Sequence, residues 1–220
     1  MINSVRMKSD KPIIIVLGPQ GSGKGTQGKV LAKKLDIPYL ETGQLLRDEI
    51  ASGSEEGKYI SSVIDDGTLL PDEYISKFMT GKIAQSVESS GGIIVDGFPR
   101  SNGQADAFEG VVNPTHAILV DIPDEESIRR LSARRRCIKD NKIYNLITNP
   151  PKNNESCDIC GGQLEQRVDD TPEAIKHRLD QYHRDTEPLI QRYESMGVLH
   201  KIDGMPSIEE VEKSVWEIFS

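Results

Sequence analysis

The run Ile13–Leu17, IIIVL, passes directly into Gly18-Pro-Gln-Gly-Ser-Gly-Lys24-Gly-Thr26-Gln. Aliphatic side chains at every position, not every second one, suit a strand buried on both faces, and such strands belong to parallel sheets covered by helices. The glycines let backbone N–H groups turn inward. The helix-like stretch Gln27–Leu35 that follows aims its positive N-terminal end at whatever those groups hold. A loop of this kind binds phosphate, and Lys24 is placed to reach outer phosphates as a compact cation. The pattern departs from the usual one at Gly25, where Ser or Thr is normal; Thr26 comes one residue later.

A second phosphate-handling segment, Asp96-Gly-Phe-Pro-Arg100, ends the strand-like run Gly92–Asp96. Two such segments at one sheet edge point to chemistry between two nucleotides. Further β-rich runs at Ala117–Asp121 and Val198–Ile202, with a weaker one at Ile37–Leu40, alternate with amphipathic stretches. That alternation predicts a doubly wound α/β core with a five-stranded parallel sheet. Ser207-Ile-Glu-Glu210 is a capping box for a closing helix, and Thr171-Pro172 marks another helix start. Pro188 is expected to kink the helix that Thr171 opens. Residues 42–70 and 133–169 interrupt the alternation and read as excursions from the core. The first is polar and helical; the second is Arg-rich, then turn-rich around Asn149-Pro150-Pro151, and carries all three cysteines.

With 220 residues there is room for one substantial core plus inserts. The net charge of −8 argues against a protein that coats nucleic acid or an anionic membrane, so basic clusters must be local. Arginines do cluster near the inserts: Arg47, Arg100, Arg129, Arg130, Arg134, Arg135, Arg136, Arg167 and Arg178. Planar guanidinium groups suit phosphate oxygens, and no nucleophile–base pair accompanies them. A nucleotide phosphate is already largely ionised at neutral pH, so as an acceptor it needs positioning and charge neutralisation more than a base. Cys137-x-x-Asp140 followed after sixteen residues by Cys157-x-x-Cys160 has the spacing of a four-ligand structural zinc knuckle. Three cysteines make no disulfide framework, which suits a cytoplasmic chain. Ile13–Leu17 is too short to span a bilayer, and the first residues lack the apolar stretch of a secretory signal. Residues 1–11 read as a mobile polar leader. The four histidines show no ligand spacing.

Taken together, the chain resembles the nucleoside monophosphate kinases and, among them, the adenylate kinase family. The resemblance runs from about Pro12 to the C-terminus. Beyond the two phosphate segments it includes Glu41-Thr42-Gly43, Leu46-Arg47, Gly67-Thr68-Leu69-Leu70-Pro71-Asp72, Asn149-Pro150-Pro151-Lys152, Asp169-Asp170-Thr171-Pro172-Glu173 and Arg178-Leu179-x-x-Tyr182-His183. It implies a P-loop NTPase core (12–40, 71–132 and 171–220), an AMP-binding insert at 41–70 and a mobile lid at 133–170, with Gly43 and Gly67 as hinges. It implies reversible transfer of a phosphoryl group from ATP to AMP, giving two ADP, with Mg²⁺ held through Asp96.

By the same resemblance ATP lies on Gly21, Ser22, Gly23, Lys24, Gly25, Thr26, Arg130, Arg134, Ile143, Tyr144 and Pro206. AMP lies on Thr42, Arg47, Thr68, Leu69, Leu70, Gly97, Phe98, Pro99, Arg100, Gln104, Arg167 and Arg178. Lys24, Asp96, Arg100, Arg134, Arg167 and Arg178 carry the catalysis, while Arg129 and Arg136 are expected to be solvated. Zinc-bearing lids of the family have four Cys, or three with Asp last; here Asp140 comes second. Metal-free lids held by hydrogen bonds are the alternative. Gln104 favours AMP, since pyrimidine-specific members carry Asn there. A UMP/CMP kinase on the same scaffold, a non-catalytic nucleotide-binding regulator and a zinc-ribbon nucleic-acid binder are the other readings. One chain suffices for a complete site, so a monomer is expected.

Overall fold

The computed structural model describes residues 10–65, 70–153, 155–167 and 170–220. Strand β1 (Ile13–Leu17) is followed by helix α1 (Lys24–Leu35), and β2 (Tyr39–Glu41) leads into α2 (Thr42–Ser52) and α3 (Glu55–Asp65). Then come α4 (Asp72–Ser90), β3 (Ile93–Asp96), α5 (Asn102–Val111), β4 (His116–Asp121) and α6 (Asp124–Ser132). Three short strands, β5 (Arg134–Cys137), β6 (Ile143–Asn145) and β7 (Leu164–Glu165), precede α7 (Pro172–Gln181), α8 (Pro188–Ser195), β8 (Leu199–Asp203) and α9 (Ile208–Trp216).

The main sheet has the order β2-β3-β1-β4-β8, with every pair parallel. Every residue of β1 is buried, as an uninterrupted aliphatic run requires of a central strand. Successive side chains point to opposite faces. Ile13, Ile15 and Leu17 join a core with Phe78 and Met79 of α4, Phe108 of α5 and Leu189 of α8. Ile14 and Val16 pack instead with Leu31 of α1 and Val211 and Val215 of α9. The sheet is therefore covered on both faces, as the alternation of elements predicts.

Helix starts follow their capping residues. The Thr171 hydroxyl accepts from Ala174 N, with Pro172 at the first position of α7. The Ser207–Glu210 capping box is complete: Ser207 N donates to Glu210 Oε2 at 2.9 Å and Glu210 N to Ser207 Oγ at 3.3 Å. The α-helix that Thr171 opens is interrupted ahead of Pro188 and not at it. A π-helical turn over Tyr182–Thr186 widens the backbone just before it, with Glu187 N donating to Tyr182 O, and Pro188 opens α8 at its first turn. At that position its missing N–H is one the helix would leave unpaired anyway.

Both excursions have their own structure. Residues 42–65 carry helices α2 and α3, which pack on each other, and β6-β5-β7 make a small antiparallel sheet. The leader residues 1–9 and the positions Gly67, Thr68, Leu69 and Asp169 lie outside the described residues.

Candidate active site

The carboxyl ends of β1, β2, β3 and β4 meet at one edge of the sheet, and the phosphate loop leaves that edge from β1. Gly18 has φ +134°, and a Cβ there would run into the carbonyl oxygen of Val120 on the neighbouring strand. Only glycine lets the loop turn so close to β4. Lys24 lies at the start of α1 and donates from Nζ to Pro19 O at 3.2 Å across the loop. Its ammonium is less basic than an ordinary lysine. Burial weighs most; Asp96 and Glu41 oppose it, while Arg100 and Arg134 push the same way. Charged groups from β2, β3, the second phosphate segment and β5 thus lie within electrostatic reach of one amine.

Asp96 closes β3 and is buried. Its Oδ2 accepts from the Tyr39 hydroxyl at 2.6 Å, and its backbone carbonyl accepts from Thr42 Oγ1 at 3.2 Å. A Cβ at Gly25 would lie 3.1 Å from Asp96 Oδ2 and 3.3 Å from the Tyr39 hydroxyl. That crowding gives a physical reason for glycine where Ser or Thr is usual. Burial, reinforced by Asp96, pushes the Tyr39 phenol far above its ordinary range, so it stays a donor. Tyr39 escapes a motif search because nothing ties it to Asp96 until β2 and β3 pair, with Glu41 opposite Asp96.

Arg100 is held from three sides. Its backbone N donates to Gln104 Oε1 at 2.8 Å, its Nε to Gly97 O at 2.9 Å, and its carbonyl accepts from Thr186 Oγ1 at 3.1 Å. Surrounding protein lowers its proton affinity; Asp96 opposes and Arg178 adds to the effect. The buried Gln104 spends its other end on Asp72, with Nε2 to Oδ1 at 2.7 Å. Its side chain therefore orients Arg100 and the start of α4, in addition to whatever it offers a base. Phe98 and Pro99 are buried beneath this turn. Gly97 has φ +81°, with Thr42 Oγ1 3.5 Å from the place of a Cβ.

Arg47, on α2, reaches Glu41 at 3.3 Å and Gln44 Oε1 at 2.8 Å. Glu41 also pairs with Lys29 at 3.1 Å. Burial alone would raise the Glu41 carboxyl, but Lys29 and Arg47 outweigh it and hold the group below its ordinary value. Arg47 is made less basic by burial, with Glu41 opposing and Arg167 and Arg136 contributing. The arginines of the 133–170 segment thus come within electrostatic reach of the acceptor side.

Arg134 and Arg178 share one carboxylate. Asp170 Oδ2 accepts from Arg134 Nε at 2.8 Å, while Oδ1 accepts from Arg134 Nη2 at 2.6 Å and Arg178 Nη2 at 2.9 Å. The Asp170 side chain has no solvent exposure. It belongs to a stretch the sequence flags, but its burial between β5 and α7 appears only in the fold. Arg130 is fixed in a similar way. Its Nε donates to Glu126 Oε1 at 2.6 Å and its Nη2 to Gly204 O at 2.9 Å, beside Met205 and the exposed Pro206. Glu126 takes two further bonds from Arg129, at 2.7 and 2.8 Å. Those Arg129 bonds, with Arg130 adding to them against burial, hold the Glu126 carboxyl down at about 2. Arg129 is half-exposed, as expected, and makes its pair with this carboxylate at the surface. Arg136 departs from expectation: it pairs with Glu165 at 2.8 Å and its Nε is buried.

Cys137, Asp140, Cys157 and Cys160 come together with their ligand atoms all within 4.8 Å of one another. Cys137 Sγ lies 3.4 Å from Cys160 Sγ, and Cys157 Sγ 3.3 Å from Asp140 Oδ2. A tetrahedral zinc with sulfur at about 2.3 Å needs sulfurs about 3.8 Å apart, so the cluster fits that ion with small side-chain shifts. Ile143 is exposed, whereas the Tyr144 ring is buried with Cys137, Cys157 and Leu164. Only the backbone of Tyr144 is left to face a nucleotide. The histidines form no such group among the described residues: His116 stacks on His200, and His183 bridges Asp124 and Glu187.

A parallel sheet whose carboxyl edge carries a phosphate loop, with the arginine-bearing Asp96–Arg100 segment beside it, has the frame of a P-loop phosphotransferase. The family model described as adenylate kinase matches residues 16–198. Curated proteins named adenylate kinase match nearly the whole chain. That of Archaeoglobus fulgidus is 40% identical over 207 residues, covering 92% of this chain and 95% of its own length. The Methanothrix thermoacetophila protein is 38% identical over 212 residues, covering 94% and 98%. That of Petrotoga mobilis is 37% identical over 210 residues, covering 93% and 96%. The chain belongs to the adenylate kinase family. It is a nucleoside monophosphate kinase, and its family's reaction is phosphoryl transfer from ATP to AMP to give two ADP. The pyrimidine-kinase, regulator and nucleic-acid readings are not favoured.

Proposed function

We propose that this chain carries out ATP + AMP ⇌ 2 ADP by direct in-line transfer, with the residues in the following roles. The phosphate loop 21–26 and Lys24 hold the donor triphosphate. Arg130, Ile143, the Tyr144 backbone and Pro206 border the donor base. Arg47, Arg100 and Arg167 hold the acceptor phosphate, with Thr42, Thr68, Leu69, Leu70, Gly97, Phe98, Pro99 and Gln104 around its base and sugar. Arg134 and Arg178, joined by Arg167, neutralise charge on the group in flight. The observation that carries this reading is that the phosphate loop after β1 and the Asp96–Arg100 segment after β3 leave adjacent parallel strands at one sheet edge, in a chain of the adenylate kinase family. Donor and acceptor cations act on one cavity. Preorganised positive charge of this kind stabilises the transition state without cost at the moment of transfer.

Asp96 would hold the hydration shell of the Mg²⁺ that accompanies ATP. It is a buried hard-oxygen donor beside Lys24, and such an ion prefers to keep its waters. When bound, the ion supplies further charge neutralisation at the phosphates. The segments 41–70 and 133–170 close over the nucleotides and exclude water, which could otherwise accept the phosphoryl group. Zinc in the Cys137–Asp140–Cys157–Cys160 cluster would be structural, since four protein ligands leave no position open. The protein acts as a monomer in the cytoplasm; its cysteines are unbridged, and no helix among the described residues is long and apolar enough to cross a membrane.

A coupled ADP-formation assay with AMP, CMP, UMP and GMP as acceptors tests the substrate assignment. AMP is expected to give the highest kcat/KM by a wide margin. CMP or UMP outpacing AMP would overturn it.

A further inference from the structure

We propose that the Tyr144 hydroxyl is a built-in partner of the lid's metal centre, donating a hydrogen bond to the Cys157 sulfur; this rests on the zinc reading above. Tyr144 sits on β6 opposite Arg135 of β5. Strand alternation turns its ring away from the side of Ile143, and 4% of it remains exposed. The ring lies in the small core with Cys137, Cys157 and Leu164.

The direction of its hydrogen bonds follows from their partners. Asp158 N donates to the Tyr144 hydroxyl oxygen at 2.9 Å, which occupies that oxygen as an acceptor. The remaining O–H lies 3.4 Å from Cys157 Sγ. A metal-bound cysteine is a thiolate with no proton to give, so the phenol is the donor. Left unpaired at this burial, the hydroxyl would be costly.

The charge of the cluster gives the bond its use. Three thiolates and one carboxylate around a divalent ion leave a net negative centre. Backbone N–H groups already address two sulfurs, Lys139 N to Cys137 and Ile159 N to Cys157, each at 3.4 Å. Tyr144 adds a side-chain donor to Cys157, and its bond from Asp158 ties the same oxygen to the turn between Cys157 and Cys160. Partners of this kind orient ligands and tune the metal, and losing one typically lowers metal affinity about 10–100-fold.

The test uses full-length protein loaded with zinc or cobalt(II), comparing wild type with Tyr144→Phe, which keeps the ring, and Tyr144→Leu, which removes it. Wild type and Y144F are expected to bind one metal ion each, with zinc passing to an excess of chromogenic chelator about 10-fold or more faster from Y144F. In the cobalt forms, the thiolate-to-metal charge-transfer band of Y144F should move to longer wavelength, because an undonated sulfur holds its electrons less tightly. A purely packing role would leave that band in place in Y144F. Y144L should melt lower than Y144F without moving the band further. Identical release rates and identical cobalt spectra in wild type and Y144F would overturn the inference while leaving the metal centre standing. Wild type that takes up neither metal would overturn both.

Discussion

Lys24→Met is expected to lower kcat by about 10²–10³-fold, the loss typical of removing one preorganised charge from a transition state, about 2.7–4 kcal/mol. Methionine keeps much of the length and apolar stem of lysine, so the change removes the ammonium and little else. The fold should not suffer. Burial disfavours the charged amine, and among the described residues its Nζ donates to the Pro19 carbonyl of its own loop and makes no ion pair. The melting temperature should hold or rise while turnover collapses. Steady-state ADP formation and a thermal melt on the same preparation check both halves. Near-normal turnover in this variant would contradict the assignment of Lys24 to the transferring phosphoryl group.

Asp170→Asn should produce the opposite pairing, with stability and turnover falling together. The carboxylate is wholly buried and accepts three charge-assisted bonds from Arg134 and Arg178. Asparagine keeps the shape but loses the charge, and it turns one acceptor into a donor aimed at a guanidinium. Removing one partner of a buried ion pair costs about 3–5 kcal/mol because the opposite charge is left uncompensated. In a chain of this size that corresponds to a fall in Tm of about 6–12 °C. The two arginines should also lose their shared orientation, and kcat should fall with them. A polyphosphate ligand supplies new counter-charges, so saturating ATP should recover part of the lost stability. If D170N melts like wild type, the buried pairing is not the support described here.

Much of this architecture is legible in the sequence, for local reasons. An aliphatic residue at every position of 13–17 can be satisfied only by a strand covered twice, and every residue of β1 is indeed buried. The capping box at Ser207 and the Thr171-Pro172 start need only neighbouring residues to work, and both are formed. The Cys-x-x-Asp and Cys-x-x-Cys pairs each sit on one turn, so their spacing survives folding. What stayed hidden depends on pairing between distant segments. Tyr39 meets Asp96 only because β2 and β3 align Tyr39 with Ile94 and Glu41 with Asp96. The bonds of Gln104 to Asp72 and to Arg100 N, which give it a positioning role besides the expected base contact, likewise join segments distant in the chain. Arg136 reads as a surface charge until β5 pairs with β7 and brings Glu165 opposite. The π-helical turn before Pro188 has no local signature that separates it from a kink at the proline itself.

The claim on which the rest depends is that Lys24 and Arg100 serve one cavity holding both nucleotides at once. Two adenosines joined by a chain of five phosphates span such a cavity, and isothermal titration calorimetry of that compound measures the claim directly. One molecule is expected to bind per chain, to exclude ATP and AMP alike, and to lose affinity in both Lys24→Met and Arg100→Met. Binding that leaves AMP able to bind independently, or that is indifferent to either substitution, would contradict the single-cavity account.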